Sequence, residues 1–440
     1  MAVNTILLHG NSVLHNTPFK GTSGHQMVSL PGFFNGQHMS IKIDDNILSK
    51  HTLLIGGTGT GKTNSLNFYI DQLKKQMTNN DVMIIFDTKG DFEKKFYKNG
   101  DVIIGNSKKY SQVSDKWNIY KEIVVDGWDK DAIQANISEI TYSLFKEALD
   151  NTNQQFFPSA ARDLFATILE AHIRAGKNDI NLKKLAFNNA ALKNYLERLN
   201  PQKTIKLLSA ASDLASVLSY IGDGESDQAL GVIAEMQNVI RKIFIGAFAK
   251  DGRFSVREFV RKKGARTLFI EYDMSMGDTL TPIYRLLFDL ALKEAMGRSK
   301  SEGNVYLICD EFKLLPNLQH IEDGVNFGRS LGVKIFAGVQ SIEQLYELYG
   351  ESKGKNIAAG FSSVLAFKAN DASTREFVSD LYGKNMVLEQ YKTSNNTMIE
   401  EKREGKTVED WHLNNLQIGQ ALVGLPFSQP FIFSFDEFKR

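Results

Sequence analysis

The spacing of apolar residues changes character along the chain. Residues 1–50 carry short apolar stretches broken by Gly, Asn and Pro, as in SLPGFFNGQHMSIKIDDN, a pattern that predicts small strands and turns. From His51 the order becomes strand, glycine loop, helix, strand: HTLLIG, GTGTGKT, the amphipathic NSLNFYIDQLKKQ, then the apolar VMIIFD. Such alternation implies a parallel sheet covered by helices. Between about Lys116 and Asp251 the β signal fades. There Phe157, Ala161, Leu164, Ile168 and His172 recur at helical spacing, as do Leu230, Ile233, Met236, Ile240 and Phe244. Afterwards ARTLFIEYD, TPIYRLLFDLALKEAM, NVYLICDEF, VKIFAGVQ and SSVLAFKA resume the alternation, with helices expected at VNFGRSLG, SIEQLYELYG and STREFVSDLYG. The expected fold is α/β with a mostly parallel sheet. Its parts are a small N-terminal β segment over 1–50, an inserted all-α domain over 119–251, and a discontinuous core over 51–118 and 252–440. The polar stretch Tyr391–Lys406 is expected to be a mobile loop or hairpin.

Composition changes this picture little. With 42% hydrophobic and 23% charged residues the 440-residue chain is globular rather than disordered. A formal net charge of +1 means that any nucleic-acid contact must come from a local patch. The single cysteine, Cys309, excludes a disulfide framework or a cysteine-based zinc site and fits a reducing cytosol. The start lacks a cationic n-region followed by an apolar core, and no run of about 18 apolar residues occurs, so a soluble, cytoplasmic protein without membrane insertion is expected.

The strongest chemical signal is GGTGTGKT, Gly56 to Thr63, which matches G-x-x-x-x-G-K-[ST] between an apolar strand and a helix. Gly56, Gly59 and Gly61 free the backbone to curl its N–H groups around phosphate oxygens, and the helix N-terminus adds partial positive charge. The cofactor-binding residues are therefore Gly57, Thr58, Gly59, Thr60, Gly61, Lys62, Thr63 and Asn64. Lys62 would reach the β- and γ-phosphates of ATP, and the Thr63 hydroxyl would ligate Mg²⁺. In NVYLICDEF a buried strand ends at Asp310 and Glu311, which puts both carboxylates at the sheet edge beside that loop. Asp310 is assigned to the metal and Glu311 to the attacking water. VKIFAGVQ ends the same way at Gln340, an uncharged amide able to sense the γ-phosphate or orient the water; taken alone it reads more often as a polar residue at a helix start, so its assignment depends on the others.

Three further features stay open between chemistry and structure. Arg329, in NFGRSLG, is a candidate for reaching a neighbouring subunit's nucleotide and equally an exposed arginine in surface ion pairs. Asp87-Thr88-Lys89-Gly90 matches the D-x-x-G of GTPase switches, yet no N/T-K-x-D guanine-reading segment follows, which disfavours a GTPase. Lys89 and Asp91 are nucleotide or subunit contacts, or turn residues. From Arg241 to Arg266, nine lysines and arginines face only Asp251 and Glu258. This run suits phosphates of a translocated strand, or a solvated face. His51, His172, His320 and His412 show no metal-ligand spacing and read as structural or surface residues.

Taken together, GGTGTGKT, IIFDTKGDF, FFPSAARDLFATILEA and YLICDEFKLLPNLQHIEDGVNFGRSLGVKIFAGVQSIEQLYELYG resemble the type IV coupling-protein ATPases of conjugation, within the HerA-FtsK superfamily of DNA-pumping motors. The likeness runs from about His51 to the C-terminus. It implies a RecA-like P-loop NTPase core that assembles as a ring, usually a homohexamer, with ATP at subunit interfaces. By position it matches Lys62 and Thr63 to the family's phosphate-loop pair, Asp310 and Glu311 to its second motif, Gln340 to its third, and Arg329 to its arginine finger. The implied activity is ATP hydrolysis coupled to movement of DNA, single- or double-stranded, with a relaxase as cargo carrier. Since the family's channel-docking members carry an N-terminal membrane anchor and no such segment is legible here, a motor partnering a nuclease in phage defence or DNA processing is a rival. A nucleotide-dependent scaffold that binds no DNA is another.

Overall fold

The computed structural model describes residues 2–14, 24–110, 112–209, 212–393, 397–426 and 428–439. Its strands are β1 (Ala2–His9), β2 (Gln26–Phe34), β3 (Gln37–Asp44), β4 (Thr52–Ile55), β5 (Val82–Asp87), β6 (Val102–Gly105), β7 (Arg266–Glu271), β8 (Val305–Cys309), β9 (Val333–Val339), β10 (Ser363–Phe367), β11 (Lys384–Lys392), β12 (Met398–Lys406), β13 (Gln420–Gly424) and β14 (Phe431–Phe435). The chain divides into two compact units. One comprises Met1–Ile85, Phe92–Tyr97 and Ala295–Arg440, the other Phe86–Asp91 and Lys98–Glu294.

In the first unit the strands of the main sheet follow the order β3-β2-β14-β13-β10-β4-β9-β8-β5. β10, β4, β9 and β8 run parallel. Every residue of β4, β5, β8, β9 and β10 is buried, which is why these strands stand in the sequence as unbroken apolar runs rather than alternating ones. On the other flank β13, β14, β2 and β3 pair antiparallel, so β2 and β3 of the N-terminal segment extend the same sheet. β1 leaves it and pairs with β11 (Ile6 opposite Leu388) in a separate three-stranded sheet completed by β12. The polar stretch Tyr391–Lys406 is thus mostly hairpin; its residues 394–396 lie outside those described.

In the second unit β6 and β7 pair parallel (Ile103 opposite Phe269). The helices Lys130–Asp150, Phe156–Asn178 and Asp227–Ile243 occupy the stretch whose periodicity is purely helical. The unit is wider than residues 119–251, because buried polar pairs join the first of those helices to the helix Gly277–Met296. The buried Arg285 guanidinium donates to Glu147 Oε1 at 2.5 Å and to Ser143 Oγ at 3.3 Å.

His51 shows how tightly the first unit closes around the start of β4. It is 1% exposed, adopts φ +59°, and its Nδ1 accepts from the Ile335 amide at 3.1 Å. Burial, reinforced by the nearby Lys334 charge, pushes its pKa from 6.5 down to about 4. A lowered histidine pKa means that the unfolded chain takes up the proton first as pH falls. His51 therefore contributes full stability above about pH 6.5, and roughly 3 kcal/mol of it is lost by pH 4. Urea unfolding followed from pH 7.5 to 4.5 should show this slope in the natural chain and a shallower one in His51→Gln; identical slopes would show that His51 titrates as it does in water.

Candidate nucleotide site

The loop Gly56–Gly61 leaves the buried strand β4 and enters the helix Lys62–Gln76. Its first amides are fastened to neighbouring strand ends: Gly56 N–H donates to the Val339 carbonyl (3.2 Å) and Gly57 N–H to that of Lys368 (3.0 Å). Gly56 and Gly61 adopt φ +148° and +123°, and a Cβ on Gly56 would stand 2.7 Å from Phe367 Cβ. Only glycine fits that position. Gly61 is the N-cap and supplies no side-chain cap, so the helix presents its first amides to the loop. Thr60 Oγ1 donates to the Gly57 carbonyl (2.7 Å). The buried Lys62 ammonium reaches back to the carbonyls of Gly56 (2.5 Å) and Gly57 (3.0 Å), which holds the cation inside the loop.

Parallel register brings the other groups to the same rim. Ile55 lies opposite Val339 and Cys309 opposite Ala337, so Gly56, Gln340 and Asp310 leave the sheet side by side. Thr63 Oγ1 donates to Asp310 Oδ2 at 2.6 Å, joining loop and strand end directly. Gln340 Nε2 donates to Glu311 Oε2 at 2.9 Å. Glu311 Oε1 is buried with no hydrogen-bond partner among the described residues. A hydroxyl and a carboxylate in contact are hard oxygen donors suited to Mg²⁺, and a carboxylate with one oxygen pinned and the other unsatisfied suits a water.

Arg329 stands elsewhere. It precedes β9 at the amino end of that strand, the opposite rim from Gln340, roughly 20 Å away by strand length. It is exposed, donates to Asn46 Oδ1 (3.2 Å), and neighbours Phe327, which is 64% exposed. Arg329 therefore cannot serve this chain's own loop. Asn64 is engaged too: its Nδ2 donates to the Asp436 carbonyl and its Oδ1 accepts from Phe438 N–H, each at 2.8 Å. The Asn64 side chain is thus a tether of the C-terminal segment. In the second unit Asp87 Oδ1 accepts from the amides of Lys89 (3.2 Å) and Gly90 (2.9 Å), so D-x-x-G forms an Asx-type turn.

Much of the basic run is neutralised within its own unit. Arg257 is buried and pairs with Glu294 (3.0 Å) and Asp126 (3.1 Å), while Arg261 reaches the same two acids at 2.6 and 2.5 Å. Lys262 pairs with Glu258 (2.9 Å), and Arg266 lies 4.7 Å above the Phe259 ring. Arg241, Lys242, Lys250 and Arg253 remain exposed. Of the histidines, His172 shares a hydrogen bond with Tyr120 (2.9 Å) and His412 Nδ1 accepts from Glu409 N–H (3.0 Å), both structural roles. Cys309 is buried, and burial raises its thiol pKa well above the ordinary range.

The family described as the type IV secretion-system coupling protein DNA-binding domain matches residues 37–430. The chain belongs to that family. Coupling protein TraD of Escherichia coli (strain K12) is 22% identical over 385 residues, 84% of this chain and 49% of the relative, so the chain spans about half the length of the curated relative it matches. Among solved structures, the plasmid coupling protein TrwB in complex with the non-hydrolysable ATP analogue ADPNP superposes with a TM-score of 0.74 at 19% identity, covering 99% of this chain and 95% of that one. TrwB with ADP and Mg²⁺ gives 0.72 at 19%, covering 98% and 94%. VirB4 of Thermoanaerobacter pseudethanolicus gives 0.56 at 13%, covering 95% and 98%. These likenesses fix the fold as RecA-like α/β with a phosphate loop.

In this coupling-protein domain several supports of the loop carry no sequence motif. Gly419 N–H donates to the Thr60 carbonyl (2.9 Å), and the Gly419 carbonyl accepts from Phe435 N–H (2.8 Å). Gly338 lets β9 approach β8 so closely that a Cβ there would stand 2.2 Å from the Asp310 carbonyl oxygen. A lone glycine in an apolar strand was the only available signal, and it points to close backbone approach. Gly338→Ala should cost about 1–3 kcal/mol in thermal or urea unfolding, because backbone must shift to admit the methyl group. An unchanged midpoint would show that the strands yield without cost.

Proposed function

We propose that this chain is the motor part of a conjugative coupling protein, an ATPase that couples ATP hydrolysis to movement of DNA and works as a ring, by family expectation a hexamer. The observation that carries the reading is the 2.6 Å hydrogen bond from Thr63 to Asp310, which unites the phosphate loop with the acidic strand end. Thr63 and Asp310 would hold Mg²⁺, which when bound offsets charge on the β- and γ-phosphates. Lys62 would exchange its loop carbonyls for phosphate oxygens. Gln340 orients Glu311 through Oε2, leaving Oε1 to accept a proton from water aligned on the γ-phosphate.

Completion of the site requires a second subunit. Arg329, exposed beside Phe327 on the far rim, supports a role on a neighbour's nucleotide, as a ring with interfacial sites demands. The ATPase core is read as residues 51–118 and 252–440, with 119–251 as the inserted helical domain. No helix among the described residues is long and apolar enough to cross a membrane. Reliance on ATP fits a reaction in the cytoplasm, with relaxase-bound DNA as cargo.

Phosphate release and binding of a fluorescent ATP analogue, each with and without duplex DNA, test this reading. Glu311→Gln should keep ATP binding while hydrolysis falls about 10²-fold or more, the usual weight of a general base. Near-normal turnover would remove Glu311 from the mechanism. Lys62→Ala should lose nucleotide binding, and a rate that ignores DNA at every salt concentration would favour a scaffold over a motor.

A further inference from the structure

Asp310, Glu311 and Gln340 all lie to one side of the loop. Strand order around it is β13-β10-β4-β9-β8, and Asp310, Glu311 and Gln340 sit at the ends of β8 and β9. A triphosphate bound with its γ end at Glu311 would run its α end away from β8, so that its sugar and base would emerge over β10 and β13. On that side the wall is built. Gly57 is tied to Lys368 and Thr60 to Gly419, and a Cβ on Gly61 would stand 3.2 Å from Gly419 Cα. Gly419 adopts φ +80°, which turns the chain beside the loop. Behind it the Asn64 side chain binds the backbone of Asp436 and Phe438, and the Phe438 ring meets Phe68 at 5.1 Å.

We propose that the nucleoside of the bound nucleotide rests against the turn Gln417–Gly419, with the Ile418 side chain as the apolar shelf under its base. Ile418 is 83% exposed, the highest value among the large apolar side chains described as exposed, and it directly precedes the residue tied to Thr60. A ring stacked there covers an apolar surface otherwise left in water. The inference rests on the phosphate-loop reading and adds to it the class of ligand the loop's open side accepts. An aliphatic contact reads the face of a purine and not its hydrogen-bonding edge, so ATP and GTP should respond alike.

The test uses the full chain, with tripolyphosphate as a competitor that fills the loop but has no nucleoside. Ile418→Asp should raise KM for ATP and for GTP about tenfold or more, the equivalent of one lost apolar contact. It should leave inhibition by tripolyphosphate within about twofold. Unchanged KM values would overturn the shelf. Equal weakening of tripolyphosphate would also overturn it, by showing that the turn only props the loop. If Lys62→Ala retained ATP binding, the phosphate-loop reading itself would fall and the shelf with it.

Discussion

The hydrogen bond between the Thr63 hydroxyl and the Asp310 carboxylate is the constraint around which the rim of phosphate loop and acidic strand end is arranged. It joins residues from two motifs far apart in the chain, and it forms only if three things hold together. The helix must begin at Lys62, β4 and β8 must end level with one another, and β9 between them must be thin enough to bring β8 close. Buried apolar strands secure the level ends, and Gly338 secures the thin spot. A hydrogen bond to a charged acceptor contributes on the order of 1.5–3 kcal/mol, modest beside the core, so the core positions the bond rather than the reverse.

Strand polarity then divides the labour of the first unit. Carboxyl ends of β4, β8 and β9 deliver Lys62, Asp310, Glu311 and Gln340 to one rim, while the amino end of β9 carries Arg329 to the other. A parallel sheet cannot bring both ends of a strand to one ligand. Under the proposed function, Arg329 would serve a neighbour placed head to tail, the heterologous arrangement from which closed rings are made.

What the sequence displayed was whatever depends on local pattern. The loop, the apolar strands and the acids after β8 were all legible, because each has a period or a spacing. Gln340 carried no meaning alone and gained it from Glu311, 2.9 Å away. Other features rest on contacts between distant segments and left no local trace. β1 pairs with β11 rather than with β2, and Gly419 braces Thr60. The basic run stayed open between a strip for nucleic acid and a solvated face because its counter-charges were invisible: Asp126 and Glu294 reach Arg257 and Arg261 from well outside the run. The side-chain partners of Asn64 were equally invisible, since they lie near the other end of the chain.

That last pairing has a consequence for how the molecule comes into being. Asn64 leaves the ribosome early, and Asp436 and Phe438 emerge several hundred residues later. A nascent chain holds its phosphate loop long before it holds the brace behind it, and contacts so distant in sequence form late in folding. A chain stopped short of Phe438 would carry the lysine motif without the hydrogen bonds that tie Asn64 to the C-terminal segment.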